Sequence, residues 1–346
     1  MSCAGRSWPA TRDRARISHS TNCRRTLPAN SSSVCSNRKG TRVRGDDVPV
    51  VDPVGAVGVL GYFRRCPGTG FEELTPLPVA LSGWGGEHMR GSAVTGALAR
   101  SAEDAGGARP DLRPVRFTAD LQRAASMAPV STRSTVVREG RRLLLVDSEF
   151  LQNGHTMARA RTLFLPAASR MVADPPWSPG RSPSMPPAGL WPATDEGRLF
   201  FSEDEGWNSD AAAHRNSARK QLWCQSIPVV ESESVSLFQA AATVADLTNL
   251  VTHWGTDGVR YINADVTLTL ARFPDGQALG VSATGRVGAG AISVGTAEIY
   301  DHRGIFGHTA VSTILQSSRP VDTITQLMRG SRTELLLRRH GRTEYA

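Results

Sequence analysis

The chain has 346 residues, of which 40% are apolar and 21% charged, and a formal charge of +8. That balance is that of a soluble globular protein, the length suits two ordinary domains or one duplicated unit, and no apolar run approaches the ~18 residues of a membrane-spanning helix. The charge does not argue for nucleic acid: residues 1–48 hold ten Arg or Lys against Asp13, Asp46 and Asp47, a net +7, so the remainder carries about +1 and shows no basic stripe with interleaved aromatics.

Residues 1–48 are rich in Arg, Ser, Thr and Asn without an apolar period, and read as a disordered basic tail. The five cysteines, Cys3, Cys23, Cys35, Cys66 and Cys224, form no paired CxxC, which disfavours a disulfide framework or zinc site and points to reduced, cytoplasmic thiols. "GSAVTGALARSAED" (91–104) reads as a helix, and alternating strands follow, among them "FTADLQRAA" (117–125), "EGRRLLLVDSEF" (139–150) and "NGHTMARARTLFL" (153–165). Seven prolines between 171 and 195 forbid helix interiors and central strands, marking a linker taken here as 171–235. A second helix is expected over "SLFQAAATVADLTNLV" (236–251), followed again by strands: "INADVTLTLAR" (262–272) echoes the first Ala-Asp strand, and "RGIFGHTAVSTIL" (303–315) echoes 153–165. The order helix then antiparallel strands, written twice, predicts a duplicated α+β unit. Its boundaries are 70–170 and 236–316, with 317–346 as a loose helix and tail.

In "ADVTLTLARF" the side chains alternate, so Asp265, Thr267 and Thr269 share one face and Val266, Leu268 and Leu270 the other. "FPDG" (273–276) carries turn chemistry, and a hairpin centred there would pair Asp265 with residue 284 or 285, leaving Thr284 and Ser282 beside the carboxylate. A carboxylate flanked by hydroxyls can take a proton from water and hold that water in line. On spacing alone the pattern more often marks the exposed face of a half-buried strand. "GRVGAGAISVG" (285–295) lacks the strand–helix context of a dinucleotide fingerprint, and no GxSxG elbow occurs. His302 and His308 flank a turn and show no ligand spacing, so no metal is expected. Asp120 repeats the Asp265 pattern without a comparable hydroxyl partner.

Taken together, "AATVADLTNL" (240–249), "INADVTLTLAR", the small-residue strand at 280–291 and "EIYDHRGIFG" (298–307) resemble the C-terminal half of the acyl-CoA thioesterase II family. "GWGGEHMRGSAVTGALARSAED" (83–104), "RPVRFTADLQR" (113–123) and "VVREGRRLLLVDSEF" (136–150) resemble its N-terminal half in the form common among actinobacterial members. The resemblance implies a double hotdog, two antiparallel sheets each wrapped around a long helix, hydrolysing fatty acyl-CoA without metal or bound cofactor. It places the family's catalytic Asp on Asp265, its hydroxyl on Thr284 with Ser282 as neighbour, and its third member, a Gln, near Val311 and Ser312, of which Ser312 is the polar candidate. It also implies a substrate-binding role for His88 and Gly91 at the helix entry. Because the Gln is missing, the alternative is a catalytically inactive acyl-CoA or lipid-binding hotdog protein. The implied partner is the acyl-CoA substrate, with a homo-oligomer possible through sheet edges.

Overall fold

The computed structural model describes residues 60–66, 72–84, 87–167, 182–190 and 197–316. The expected basic tail, most of the Pro-rich stretch and the 317–346 segment lie outside the described residues. Everything described belongs to one compact unit, Val57–Ala346.

Residues 60–167 supply β1 (Phe63–Cys66), β2 (Glu73–Pro76), α1 (Gly91–Gly106), β3 (Leu112–Leu121), β4 (Val130–Gly140), β5 (Leu143–Gln152) and β6 (His155–Pro166). Next come β7 (Arg198–Ser202), β8 (Gly206–Asn208) and β9 (Lys220–Gln225), all within the expected linker. The remainder holds α2 (Leu237–Ala245), α3 (Thr248–His253), the short β10 (Trp254–Gly255), β11 (Gly258–Val259) and β12 (Tyr261–Asn263), then β13 (Asp265–Leu270), β14 (Ala278–Ala289), β15 (Ile292–Asp301) and β16 (Gly304–Leu315).

Apart from the separate β10–β11 pair, the described strands form one continuous antiparallel sheet rather than two. Its central order is β4-β5-β6-β3-β13-β16-β15-β14, with β9, β7 and β8 extending the far end. The order reads symmetrically outward from the β3–β13 seam. At that seam Asp120 pairs with Asp265, the two residues that the sequence echo equates. The duplication therefore meets itself at equivalent positions, as a local two-fold requires.

Period-two burial gives the sheet an inner face, on which Val266 and Leu268 are fully buried along with Val146, Phe150 and Phe117. The helices lie on that face, α1 against β3 to β6 and α2 with α3 against β13 to β16. Small residues let α1 and α2 approach closely: a Cβ on Gly96 would stand 2.7 Å from Thr243 Cγ2, and Thr95 Oγ1 donates to the Ala242 carbonyl at 3.0 Å. The helix expected over 236–251 starts as predicted, with Ser236 Oγ accepting the Gln239 N–H at 3.0 Å, but is cut at Asp246–Leu247 into α2 and α3.

The expected hairpin between β13 and β14 does not form. β13 pairs with β3 and β16, while β14 pairs with β15 and β9, so two strands separate them. The "FPDG" segment instead crosses the β15–β16 turn, where the buried Asp301 carboxylate accepts Arg272 at 2.6 and 2.8 Å and the Asp275 N–H at 2.7 Å. This contact, 26 residues from Asp275, outcompetes the local turn.

The two faces of β13 predict opposite mutational responses. Leu268→Ala should cost about 2–5 kcal/mol in urea unfolding by leaving a cavity under α2. Thr269→Ala, on the outer face, should change stability by less than about 0.5 kcal/mol. Equal effects would contradict the assignment of faces.

Candidate active site

α1 opens after two isolated bridges, Leu81 with Met89 and His88 with Ser126, that fix the chain entering it. Its N-cap, Arg90, makes no side-chain capping bond, so the first N–H groups of α1 depend on partners from elsewhere. The partner is Asp246. Its carboxylate accepts the Ser92 hydroxyl at 2.9 Å and the Asn263 amide at 3.0 Å, and the Ser92 backbone N–H is directed at it as well. A Cβ on Gly91 would fall 2.1 Å from Asp246 Oδ1, so only glycine admits this approach.

The break between α2 and α3 is what turns Asp246 toward α1. Three residues on, Asn249 donates its Nδ2 to the Tyr261 carbonyl at 2.9 Å, which leaves its buried Oδ1 without a partner among the described residues. Asp246 and Asn249 both line a cavity of about 480 Å³ whose wall also includes His88, Gly91, Met157 and Leu250. Part of Asp246 stays open to this cavity. Removal from bulk water is nevertheless the dominant influence on its carboxyl and raises its proton affinity above the ordinary carboxylate range, against the lowering effect of Asn263, Ser92 and nearby Arg90.

A carboxylate of raised proton affinity, a helix N-terminus and an unsatisfied amide oxygen on one cavity can accept a proton from water, orient that water and stabilise developing negative charge. Among the described residues no His, Cys, Asp and Glu group has the makings of a metal site.

His88 and Gly91 lie on this cavity; the other sequence-predicted residues do not. Asp265 stands on the outer face of the sheet, half-buried, where the Ser312 backbone N–H donates to its Oδ1 and the Ser312 hydroxyl to its Oδ2 at 3.4 Å. It sits where pairing to β16 passes from β12, which aligns Asn263 with Thr313, to β13, which aligns Thr267 with Ala310. There its carboxylate replaces a missing ladder acceptor. Thr284 is three strands away, about 14 Å at ordinary strand spacing, and donates to Thr296 Oγ1 at 3.0 Å. Ser282 is buried between Glu298 and Gln221 on neighbouring strands. The structure thus brings Asp265 and Ser312 together and separates both from Thr284 and Ser282. Val311, the other Gln position, is buried on the inner face.

Asp246 was missed although the sequence carried a signal. Ala241, Ala242, Val244, Ala245, Leu247 and Leu250 surround it in the sequence, and an acid in so apolar a helical stretch is a candidate for withdrawal from solvent.

Replacing Asp246 tests its electrostatic state. A carboxyl whose proton affinity is raised on folding favours the folded chain least above its folded-state pKa, so stability is lost as pH rises from the ordinary 3.8 through the raised value. Asp246→Asn should therefore raise the thermal unfolding midpoint at pH 8, with the advantage shrinking toward pH 4; a lowered midpoint at pH 8 would show the carboxylate to be net stabilising.

Residues 81–165 match the family model described as the acyl-CoA thioesterase N-terminal domain. No curated protein sequence matches the chain. Among solved structures, a candidate thioesterase II of Thermobifida fusca is 16% identical, with a TM-score of 0.53 over 73% of this chain and 95% of that one. The tesB protein of Mycobacterium avium subsp. paratuberculosis is 14% identical, with a TM-score of 0.51 over 71% and 92%. A hot dog fold protein from Alicyclobacillus acidocaldarius is 13% identical, with a TM-score of 0.52 over 71% and 93%. At these identities the likeness is one of fold.

Proposed function

Taking the chain as acyl-CoA thioesterase II-like, we propose that it is a double hotdog that hydrolyses a fatty acyl-CoA thioester in the cavity at the head of α1, with Asp246 as general base. The observation that carries this reading is the Asp246 carboxylate held by Ser92 and Asn263 at a helix N-terminus, on a cavity with Met157 and Leu250 in its wall. Asp246 takes a proton from water as the hydroxyl oxygen bonds to the thioester carbonyl carbon. The resulting oxyanion is stabilised by the positive end of α1, whose first N–H, that of Gly91, has no intrahelical acceptor. Collapse breaks the carbon–sulfur bond, and protonated Asp246 returns its proton to the departing thiolate. The Asn249 oxygen supplies an acceptor for the second hydrogen of the water. Among the described residues Cys66 and Cys224 form no disulfide, which agrees with action in a reducing, cytoplasmic compartment.

The direct test is thiol release from a ladder of acyl-CoA chain lengths. Asp246→Asn should lower kcat by about a hundredfold or more, the usual contribution of a positioned base. Asp265→Asn should stay within about threefold of wild type. If the wild-type protein binds acyl-CoA yet releases no thiol, the catalytically silent acyl-CoA-binding alternative holds instead.

A further inference from the structure

A second cavity, about 470 Å³, shares α3 and β12 as walls with the first. Asn249, Leu250, Ile262 and Asn263 face one cavity, and Val251, Thr252, His253 and Tyr261 the other. The two are also stitched together by the main chain. Gln316, which lines the first, donates its N–H to the carbonyl of Arg260, which lines the second, at 2.9 Å.

The lining of the second cavity has unbalanced charge. Arg219, Arg260 and Arg286 border it, exposed, and among the described residues none of the three forms an ion pair. Elsewhere on the surface, Arg64, Arg133 and Arg161 each engage a carboxylate. Asp257 is the single acidic residue among the described lining. His253 adds no charge near neutral pH, because burial first and the nearby Arg286 second push its pKa down to about 4.

An aromatic surface stands beside the arginines. The Arg286 guanidinium lies 5.3 Å from the Tyr261 ring centroid, and the His253 ring packs against the same tyrosine at 5.1 Å and 39°. The loop carrying Arg219 is fixed in advance: the buried Lys220 ammonium donates to the Asn216 carbonyl at 2.8 Å, Asn216 Oδ1 at 2.7 Å and the Ala218 carbonyl at 2.6 Å. Three guanidinium groups without ion pairs, sharing one cavity with an aromatic ring, are the recognition chemistry of a phosphate-bearing nucleotide.

We propose that the second cavity binds a phosphorylated adenosine through Arg219, Arg260, Arg286 and the Tyr261 ring, and that this is the nucleotide end of the thioester whose acyl end reaches Asp246. The second half of this statement rests on the thioesterase reading above. The reach is compatible, since Asn249 on the first cavity and His253 on the second are four residues apart along α3, about 6 Å at helical rise, less than an extended pantetheine arm.

The full-length protein allows the two halves to be tested apart. Calorimetric titration with adenosine 3′,5′-bisphosphate should show saturable binding to wild type, weakened about tenfold in Arg286→Ala and abolished in a variant carrying Arg219→Glu, Arg260→Glu and Arg286→Glu. All three side chains are exposed, and circular dichroism reports whether the variants remain folded. In kinetics, the advantage in KM of a CoA thioester over the matching pantetheine thioester should collapse in the triple variant. Failure of wild type to bind the bisphosphate, or equal binding by the triple variant, overturns the site. Arginine-dependent binding with an unchanged KM ratio overturns the assignment to the substrate, leaving a free nucleotide as the ligand. If neither thioester is hydrolysed, the thioesterase reading fails, and the titration still decides the nucleotide site.

Discussion

A carboxylate drawn out of bulk water must be met by hydrogen-bond donors or take up a proton, and the constraint that organises this molecule is how Asp246 is met. The carboxylate and its donors come from three segments: Asp246 at the α2–α3 break, Ser92 at the head of α1 and Asn263 at the end of β12. None of these segments is adjacent to another in the chain. Holding them together requires α1 and α2 to cross closely enough for Gly91 to touch the carboxylate and for Gly96 to accommodate Thr243. The small-residue composition of both helices is therefore a consequence of the site as much as of packing.

The sheet supplies the frame on which this crossing is built. Because β3 and β13 pair at equivalent residues, the two helix-bearing halves face the same way and bring their helices side by side on one inner face. The seam sets Asp120 opposite Asp265, an arrangement that is unfavourable for two like charges. The Ser312 N–H and hydroxyl offset it on one side by donating to Asp265, and that bond also closes the irregularity where β16 changes partner from β12 to β13. In this frame Asp265 holds the architecture, and the cavity bearing Asp246 lies on the helix-bearing side of the sheet.

Much of the architecture was legible in the sequence: the first helix, the alternating strands, the repeat and the helix start at Ser236 all follow from local period and capping chemistry. Strand order was not. The "FPDG" turn predicts a hairpin, but the chain obeys a distant buried carboxylate, Asp301, that holds Arg272 and the Asp275 N–H, and no local pattern announces that pairing. The strands β7 to β9 were hidden by the prolines preceding them. At the candidate site, His88 and Gly91 lie on the same cavity as Asp246, whereas Asp265, the acid that the sequence pattern singles out, lies away from it on the outer face of the sheet. "VADLTNL" and "NADVTLTL" each offer one acid in apolar company, and only the three-dimensional crossing of α1 over α2 distinguishes them.

The sharpest test of the account is the pH dependence of kcat/KM for an acyl-CoA thioester in wild-type protein. The account predicts an acidic limb that requires one deprotonated group, with its inflection above the ordinary aspartyl value of 3.8 because the surroundings of Asp246 resist charge. A rate that stays level as pH falls to that value, or an acidic limb that persists unchanged in Asp246→Asn, would contradict it.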